Sequence, residues 1–365
     1  MEKKVCILTF QRAINYGATL QMYALQKVIK EQGCSVEILD YYSDFIYKNY
    51  KIFNFSDIIN LKNFLQKFLN GYTTYKRNKK FKKFIAYNMV FTKKLLKNDL
   101  KSLEQNYDIF IVGSDQVWNP NITNNDESYF LDFINDNAKK YSYAASFGVS
   151  KWEQFYKLDI NTLLKSFKMI SVREDTAKKI IQSQLTKDIS VDLDPVFLLP
   201  KNTWINLVKN RAMIDREYIL VYTVGNPKYV YEYTKKLSEQ NNCDVINIRY
   251  KISLKNKNFT IGNVLYDVGP DEFVSLIANA KYIVTNSFHA TAFSIIFNKK
   301  IYIELPDGLS SRIEDLCTSL KIKLNNTKDN KLKEISNVNW KDINYQLDKK
   351  RKKSLTYINK VINNN

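Results

Sequence analysis

The chain has 365 residues, of which 45% are hydrophobic and 14% aromatic, and its formal net charge is +19. This composition excludes intrinsic disorder, and the length exceeds what a single hydrophobic core supports, so we expect two domains. The sequence shows no signal peptide and no apolar run of about 18 residues that would span a membrane, which predicts a cytoplasmic protein.

The first elements predict a βαβ unit. Residues 4–10 have the pattern of a strand, residues 18–32 carry apolar side chains at helical spacing, and residues 36–40 have the pattern of a second strand. Gly33 fits the position after the end of the helix. A unit of this kind begins a parallel sheet with helices on both faces.

A basic and aromatic segment, residues 45–100, interrupts this alternation of strand and helix patterns. It holds 13 Lys and Arg residues against two acids, Asp57 and Asp99, and we expect it to form amphipathic helices. Residues 75–84 alternate Lys with Phe and Tyr, which fits a solvated helix face, attachment to an anionic membrane surface, or nucleic-acid binding. No recognised nucleic-acid motif accompanies the charge, so we expect no nucleic acid as a partner.

The sheet pattern resumes after this segment and continues in a second half. The strand-like segments are residues 107–112, 140–147, 168–172, 189–193, 217–224, 243–248, 282–285 and 300–304. The helical segments are a stretch after Arg173 through Ile181, then residues 229–240, 271–280, 288–297 and 310–320, and a tail from Trp340. We therefore predict an α/β protein with two Rossmann-like domains facing one another across a cleft. The predicted domains are residues 1–205, which include the segment 45–100, and residues 206–330, followed by a basic helical tail at 331–365.

The only histidine of the chain, His289, lies where a predicted buried strand gives way to a helix. In an open α/β sheet ligands bind at that junction, and a helix N-terminus attracts anions. Histidine transfers protons near neutral pH, Ser287 could cap the helix, and Thr291 could add a hydroxyl. We interpret this junction as a functional site; the alternative is a histidine that fills a gap in the core.

Two arginines occupy comparable positions. Arg173 follows the predicted strand at 168–172, and Arg312 lies near the start of a later helix. An arginine at the end of a strand can hold a carboxylate or phosphate through two hydrogen bonds. The alternative for each is a surface pair with a neighbouring acid.

The loop after the strand at 107–112 concentrates polar and aromatic side chains. It contains Ser114, Asp115, Gln116, Trp118 and Asn119. A ring for stacking beside bidentate polar groups is typical of sugar-binding sites. Asp115 could be a general acid or base, or it could cap the next helix.

The first βα loop ends with Asn15 and Gly17, and the glycine would let the backbone approach a ligand. Neither GxGxxG nor GxxxxGK[ST] occurs, so both common nucleotide-binding signatures are absent. The four cysteines lie far apart without a CxxC pair, which indicates a reducing compartment and no zinc. They are Cys6, Cys34, Cys243 and Cys317.

Six segments, in order along the chain, together resemble the polysaccharide pyruvyl transferase family. They are residues 15–21, 113–120, 142–148, 170–174, 194–199 and 285–290. The resemblance implies a glycosyltransferase-B-like fold and transfer of pyruvate from phosphoenolpyruvate to two hydroxyls of a sugar, as a ketal. No cofactor or metal is expected, because phosphoenolpyruvate is a co-substrate.

The resemblance implies that His289 and Arg173 surround phosphoenolpyruvate. We assign acid catalysis to His289 and the acceptor hydroxyl to Asp115. The other predicted donor-site residues are Asn286, Ser287, Thr291 and Arg312. The predicted acceptor-site residues are Asn15, Gly17, Ser114, Gln116, Trp118 and Asn119.

The motif Ser287-Phe288-His289 departs from the Arg-x-His that is common in the family. A basic residue is therefore missing at Ser287, and Arg312 or Lys281 could supply it.

The basic segment would suit a sugar or lipid-linked oligosaccharide acceptor at the inner face of an anionic membrane. One alternative is a glycosyltransferase of the same fold that uses a nucleotide sugar and contacts the ribose through an acid. Another is a non-catalytic member that binds glycan, an alternative that the departure at Ser287 keeps open.

Overall fold

The computed structural model describes most of the chain. The described residues are 2–43, 45–46, 61–149, 151–152, 156–209, 214, 216–225, 227–252, 261–305, 311–329 and 338–363. For residues 61–68 and 311 only the backbone is described.

The N-terminal domain is built on parallel strands in the order β2-β1-β3-β4, continued by β5-β6. Bridges between Tyr141 and Met169 and between Ala145 and Val172 join β5 to β4. Every residue of β3 is apolar and buried, as a parallel sheet covered by helices on both faces requires. The strands are β1 Lys4–Leu8, β2 Ser35–Ile38, β3 Ile109–Val112, β4 Lys140–Ser142, β5 Ile170–Val172 and β6 Ile189–Val191.

Helices connect and follow these strands along the chain. They are α1 Tyr16–Glu31, α2 Leu61–Asn88, α3 Pro120–Thr123, α4 Ile160–Lys165, α5 Asp175–Gln182 and α6 Lys201–Val208. Short 3-10 helices lie at Lys97–Leu103, Glu127–Phe130, Asn137–Lys139 and Pro195–Phe197. The predicted end of α1 is confirmed, since Gly33 follows the helix with a φ of 81° that a glycine adopts readily.

The C-terminal domain repeats the design with parallel strands in the order β11-β10-β7-β8-β9. They are β7 Tyr218–Tyr222, β8 Asp244–Ile248, β9 Asn263–Leu265, β10 Tyr282–Thr285 and β11 Lys300–Ile303. The helices are α7 Val230–Asn241, α8 Pro270–Asn279, α9 Phe288–Ile296 and α10 Ser311–Ser319, with a 3-10 helix at Thr327–Asp329. The sequence predicted neither β9, a three-residue edge strand without a fully buried side chain, nor the short helices α3, α4 and α6.

An aromatic stack joins the two domains. The Tyr16 ring at the start of α1 lies parallel to the Phe273 ring of α8, with centroids 4.3 Å apart, and meets the Tyr222 ring edge-on at 5.4 Å. The Tyr16 hydroxyl donates to the Val268 carbonyl at 3.0 Å. The first turn of α1 is thereby held against the C-terminal domain.

The predicted helical tail is present as α11, Trp340–Asn363, and it returns to the N-terminal domain. Ser354 donates to Asp192 at 2.9 Å and accepts the Leu193 N–H at 3.0 Å, while the Tyr357 hydroxyl donates to the Ser142 carbonyl at 2.9 Å. Residues 331–337 of the predicted tail lie outside the described part. The tail thus packs as a covering helix of the first sheet.

Helix α2 confirms a helix in the predicted basic segment, whose residues 47–60 are not among those described. Arg77 donates to the carbonyls of Tyr250 at 2.8 Å and Tyr266 at 3.2 Å, and Lys80 pairs with Glu272 at 2.9 Å. The segment therefore spans from one domain to the other. Across the described residues, no helix has the length and apolarity to cross a membrane.

Candidate active site

The carboxyl ends of four strands meet between the domains. Asp115 follows β3, Arg173 follows β5, Asp194 follows β6 and His289 lies in the first turn of α9 after β10. Parallel strands end at the same edge of a sheet, which is why residues so distant in sequence converge. The structure brings together the three predicted catalytic residues Asp115, Arg173 and His289, and adds Asp194.

The Arg173 guanidinium is the centre of this cluster, and its side chain is only 2% exposed. Nη1 lies 2.9 Å from Asp194 Oδ2, Nη2 lies 3.6 Å from Asp115 Oδ1, and Nε lies 3.6 Å from Glu174 Oε2. The guanidinium carbon is 4.7 Å from the centre of the Phe288 ring. Burial acts to lower the pKa of Arg173, but the three carboxylates outweigh it and raise the pKa, so the arginine stays charged.

Asp194 links the arginine of one domain to the histidine of the other. Its Oδ2, which accepts from Arg173, lies 3.4 Å from His289 Nε2, and its Oδ1 accepts the Val196 N–H at 3.1 Å. Burial acts to raise the pKa of Asp194, yet His289 and Arg173 together hold that pKa at about 2. Asp194 is therefore ionised over the whole physiological range.

Several polar atoms of the cluster have no hydrogen-bond partner among the described residues. They are Arg173 Nε, Arg173 Nη2, His289 Nε2 and Glu174 Oε2. Buried polar groups are nearly always paired, so unpaired ones call for an explanation. Because three of the four are nitrogens, they suit an anionic ligand that accepts hydrogen bonds.

Gly17 allows His289 to lie against the start of α1. A Cβ on Gly17 would stand 2.0 Å from His289 Nδ1, a distance that no side chain tolerates. The structure shows that the backbone at Gly17 makes its close approach to His289. Gly17 and His289 form a direct contact between the two domains.

A cavity of about 90 Å³ opens beside the cluster and is lined by both domains and by α11. Arg312 of α10 lines it, and burial together with the charge of Arg173 lowers the pKa of Arg312. Lys350 and Lys353 of α11 line it as well. The sequence placed these lysines only in the basic helical tail at 331–365, because their position at the cavity depends on how α11 returns to the first domain.

Lys281 does not belong to the site. It precedes β10, at the end of the strand opposite to His289, and pairs with Glu217 at 2.6 Å. Of the two basic residues that could replace the one missing at Ser287, only Arg312 lies within reach of the cluster.

Two acids beside the cavity hold a proton more readily than usual. Burial raises the pKa of Glu174, whose Oε1 accepts from the Ser146 hydroxyl, and burial likewise raises the pKa of Asp315. The cavity therefore carries groups of both signs. In the described part of the chain, no group of three or more His, Cys, Asp or Glu side chains is arranged to hold a metal ion.

Several side chains of the loop after β3 point into the core of the N-terminal domain. Trp118 is fully buried, stacks on Phe130 at 5.5 Å and donates from Nε1 to the Tyr129 carbonyl at 2.9 Å. Ser114 is also fully buried and donates to the Ala144 carbonyl. These positions contradict the predicted contacts of Trp118 and Ser114 with a sugar, because both side chains complete the domain core.

Asn119 has a capping role instead of the predicted contact with a sugar. It is buried, and its side chain accepts the Asn121 N–H at 3.0 Å at the start of α3. Its amide donates to Gln116 Oε1 at 2.9 Å. Gln116 and Asp115 remain partly accessible in this loop, with the Asp115 side chain 13% exposed.

The predicted residues at the two helix starts act mainly as caps. Asn15 accepts the Gly17 N–H at 2.8 Å, and Ser287 accepts the Ala290 N–H at 3.4 Å. Asn286 exchanges two hydrogen bonds with the backbone of Val224, each of 2.7 Å. Thr291 is fully buried and donates to the Ser287 carbonyl at 3.0 Å, which contradicts its predicted contact with a donor.

The family model of the polysaccharide pyruvyl transferases matches residues 15–302. The chain belongs to the polysaccharide pyruvyl transferase family. The matched range contains Asp115, Arg173, Asp194 and His289, while Arg312 and the lysines of α11 lie beyond it. No curated protein sequence matches this chain.

Solved structures share the fold of this transferase at low sequence identity. A protein described as a UDP-N-acetylglucosamine 2-epimerase from Listeria monocytogenes has a TM-score of 0.53 and 12% identity over 96% of this chain and 91% of its own. The UDP-GlcNAc 2-epimerase of Methanocaldococcus jannaschii has a TM-score of 0.50 and 13% identity over 95% and 92%. They show a glycosyltransferase-B-like arrangement, which confirms the predicted pair of Rossmann-like domains facing across a cleft.

Proposed function

We propose that this transferase moves pyruvate from phosphoenolpyruvate to two hydroxyls of a sugar in a cell-surface polysaccharide precursor, as a ketal. The observation that carries the proposal is the buried cluster of Arg173, Asp194 and His289, with Arg312 beside it. Arg173 Nε, Arg173 Nη2 and His289 Nε2 have no hydrogen-bond partner among the described residues. Phosphoenolpyruvate presents a carboxylate and a phosphate, the two groups that arginine binds through paired hydrogen bonds.

Arg312 takes the place of the basic residue that is missing at Ser287. Arg312 lines the same cavity as Arg173, Glu174 and Asp194. Burial and the charge of Arg173 lower the pKa of Arg312, while the neighbouring carboxylates act to raise it. With Arg173, Arg312 provides two planar cations for the two anionic groups of the donor. Lys350 and Lys353 add positive charge from α11.

Ketal formation needs one group that gives a proton and another that takes one. His289 gives a proton to the methylene carbon of phosphoenolpyruvate, which leaves C2 cationic. A sugar hydroxyl attacks C2 and forms a C–O bond, and Asp115 accepts the hydroxyl proton. The second hydroxyl then attacks C2, the bond from C2 to the phosphate oxygen breaks, and phosphate departs with the electron pair and takes up the second proton.

The acceptor in this proposal is a sugar or lipid-linked oligosaccharide at the inner face of the membrane. The Asp115 side chain is 13% exposed, more than those of Arg173, Asp194 or His289, which supports its assignment to the acceptor hydroxyl. Neither a cofactor nor a metal enters the proposed reaction. The product would be a precursor of exopolysaccharide or cell-wall polymer.

A glycosyltransferase that uses a nucleotide sugar is the main alternative on this fold. The acid at the end of β11, Glu304, accepts the backbone N–H groups of Lys228, Tyr229 and Val230 at 2.7, 2.8 and 2.9 Å. A carboxylate bound in this way occupies the N-terminus of α7, which is where a diphosphate would otherwise be attracted. This arrangement supports phosphoenolpyruvate over a nucleotide sugar.

The test is thermal unfolding of the purified protein with phosphoenolpyruvate and, separately, with UDP-sugars. A ligand that binds only the native state stabilises it by about 2.7 kcal/mol at a hundredfold excess over its dissociation constant. We expect phosphoenolpyruvate to raise the melting temperature of the wild type but not of His289→Ala. A shift with UDP-sugars alone would establish the glycosyltransferase, and no shift with either would favour a non-catalytic protein.

A further inference from the structure

Helix α2 concentrates positive charge without any compensating acid. Leu61–Asn88 contains eight Lys and Arg residues and no Asp or Glu. A surface helix of a globular protein ordinarily mixes both signs, because neighbouring charges of one sign repel. The chain must therefore hold this charge in place by other contacts.

The inner face of α2 supplies those contacts. Phe81 is fully buried and Phe84 nearly so, both within the core shared by the two domains. Arg77 lies over the Tyr250 ring at 4.6 Å while donating to backbone carbonyls, and Lys80 is held by Asp267 and Glu272. These contacts fix the orientation of α2 on the protein, so that its opposite face points outward.

The outer face combines exposed tyrosines with exposed lysines. Tyr72, Tyr75 and Tyr87 are 54%, 66% and 77% exposed. Lys76 lies 4.5 Å from the centre of the Tyr72 ring, and Lys83 lies 5.8 Å from that of Tyr87. The α2 docking face consists of Tyr72, Tyr75, Lys76, Lys79, Lys82, Lys83 and Tyr87.

Helical geometry places these residues side by side. At 100° per residue their side chains fall within one face of the helix, opposite to Phe81 and Phe84. Of the eleven exposed large hydrophobic residues in the described part of the chain, five lie between Leu69 and Val90. A purely solvated face would not gather so many of them in one place.

We propose that the α2 docking face binds the protein to an anionic lipid surface. Tyrosine rings settle at the head-group level of a bilayer, and lysine stems lie along apolar surface while their amines reach anionic head groups. Each such lysine contributes about 1 kcal/mol near an anionic membrane. The docking does not depend on the proposed pyruvyl transfer. If the acceptor is carried on a lipid, docking would bring the protein to the surface where that acceptor lies.

Nucleic acid is a weaker match for the same charge. Proteins that hold single strands use a basic groove that follows the backbone. The α2 docking face belongs to a single helix, and its aromatic rings lie beside the lysines. Lysines and tyrosines that alternate along one helix face suit a planar anionic surface better than a single strand.

The test is co-sedimentation of the full chain with vesicles of phosphatidylglycerol and phosphatidylcholine in equal parts, and with phosphatidylcholine alone. One variant changes Lys76, Lys79, Lys82 and Lys83 to glutamate. The matched control changes Lys235, Lys341, Lys352 and Lys360, which are exposed lysines of α7 and α11, to glutamate. Both variants have the same net charge, so a difference between them reports the location of the charge.

We expect the wild type and the control to bind the anionic vesicles. The α2 variant should lose about a thousandfold in partition, because four contacts of about 1 kcal/mol each are removed. A third variant, Tyr72→Ser with Tyr75→Ser and Tyr87→Ser, should bind at low salt and detach at moderate salt. Equal binding by wild type, α2 variant and control would overturn the proposal. Binding of the same proteins to a single-stranded oligonucleotide is measured in parallel. If the α2 variant lost oligonucleotide binding while its vesicle binding stayed at the wild-type level, the result would overturn the proposal in favour of nucleic acid.

The stabilisation by phosphoenolpyruvate is measured on the same variants. No residue of the α2 docking face lines the cavity beside the Arg173 cluster, so we expect the α2 variant to retain that stabilisation in full. Failure of vesicle docking can then be distinguished from failure of the proposed donor site.

Discussion

Two polar segments of this protein look alike in sequence and differ in the structure. The loop after β3, residues 113–119, and the junction after β10, residues 286–291, both follow buried strands and both carry several hydrogen-bonding side chains. In the first, Ser114, Trp118 and Asn119 turn into the domain and pair with its backbone or its rings. In the second, His289 projects across to the other domain and meets Asp194.

The difference follows from charge and from position along the strand edge. Neutral polar groups and a Trp N–H can satisfy their hydrogen bonds inside a domain, so their residue types do not indicate which way they face. Ionisable groups are costly to bury unless a partner meets them, and the strand ends between the domains bring such partners together. Asp115, the ionisable member of the first loop, is indeed the one that reaches the cluster.

Replacement of Trp118 tests the interior role of the first loop and should have the largest effect on stability. Trp118→Ala leaves a cavity among Phe130, Phe147 and Phe167, so we expect a loss of about 3–5 kcal/mol in the free energy of unfolding, measured in urea. Stabilisation by phosphoenolpyruvate should persist in whatever fraction stays folded. An unchanged free energy of unfolding with a weakened sugar affinity would show that Trp118 does contact the acceptor.

The ionisation of Asp194 tests the second region through pH. Its pKa is lowered from 3.8 to about 2, so its charge stabilises the fold above pH 3.8, and this contribution is lost as the pH falls through about 2. The shift corresponds to about 2 kcal/mol. We expect the wild type to lose that much more than Asp194→Asn when urea unfolding is measured at pH about 5 and again at about 2.

The matched control for this experiment is Asp188→Asn, which changes an exposed acid just before β6. Its unfolding free energy should depend on pH as that of the wild type does. If Asp194→Asn also showed the wild-type dependence, Asp194 would not be the group that Arg173 and His289 hold ionised.

Gly17→Ala tests the contact between the domains. The added Cβ would collide with His289 Nδ1, and overpacking of this kind costs about 1–3 kcal/mol. In a His289→Ala background the same substitution should cost almost nothing, because the obstacle is gone. A cost that persists in that background would place its cause in the backbone of α1 and not in His289.

Most of the fold could be predicted from the sequence because its strands are apolar runs and its helices begin and end at recognisable residues. Short, half-exposed β9 lacks that pattern. The return of α11 to the first sheet rests on contacts such as that of Ser354 with Asp192, which no local pattern encodes.

The candidate site was predictable only in part, because some of its residues reach it through tertiary contacts that no local sequence pattern encodes. His289 and Arg173 stand at strand ends, and their residue types suit an anion. Asp194 gave a weaker signal, since an Asp-Pro pair after a strand indicates a chain break as readily as an ion pair. Lys350 could not be placed at all, because it reaches the cavity through the packing of α11.

Arg312→Gln gives the most direct test, because this arginine should matter for the donor and little for the fold. The measurement is the dissociation constant for phosphoenolpyruvate by calorimetry, with urea unfolding of both proteins as the control. We predict at least about a tenfold loss of affinity, the scale of one lost charged hydrogen bond, with a free energy of unfolding within about 0.5 kcal/mol of the wild type. An unchanged affinity would contradict the assignment of Arg312 to the donor site. Absence of phosphoenolpyruvate binding by the wild type would contradict the proposed reaction as a whole.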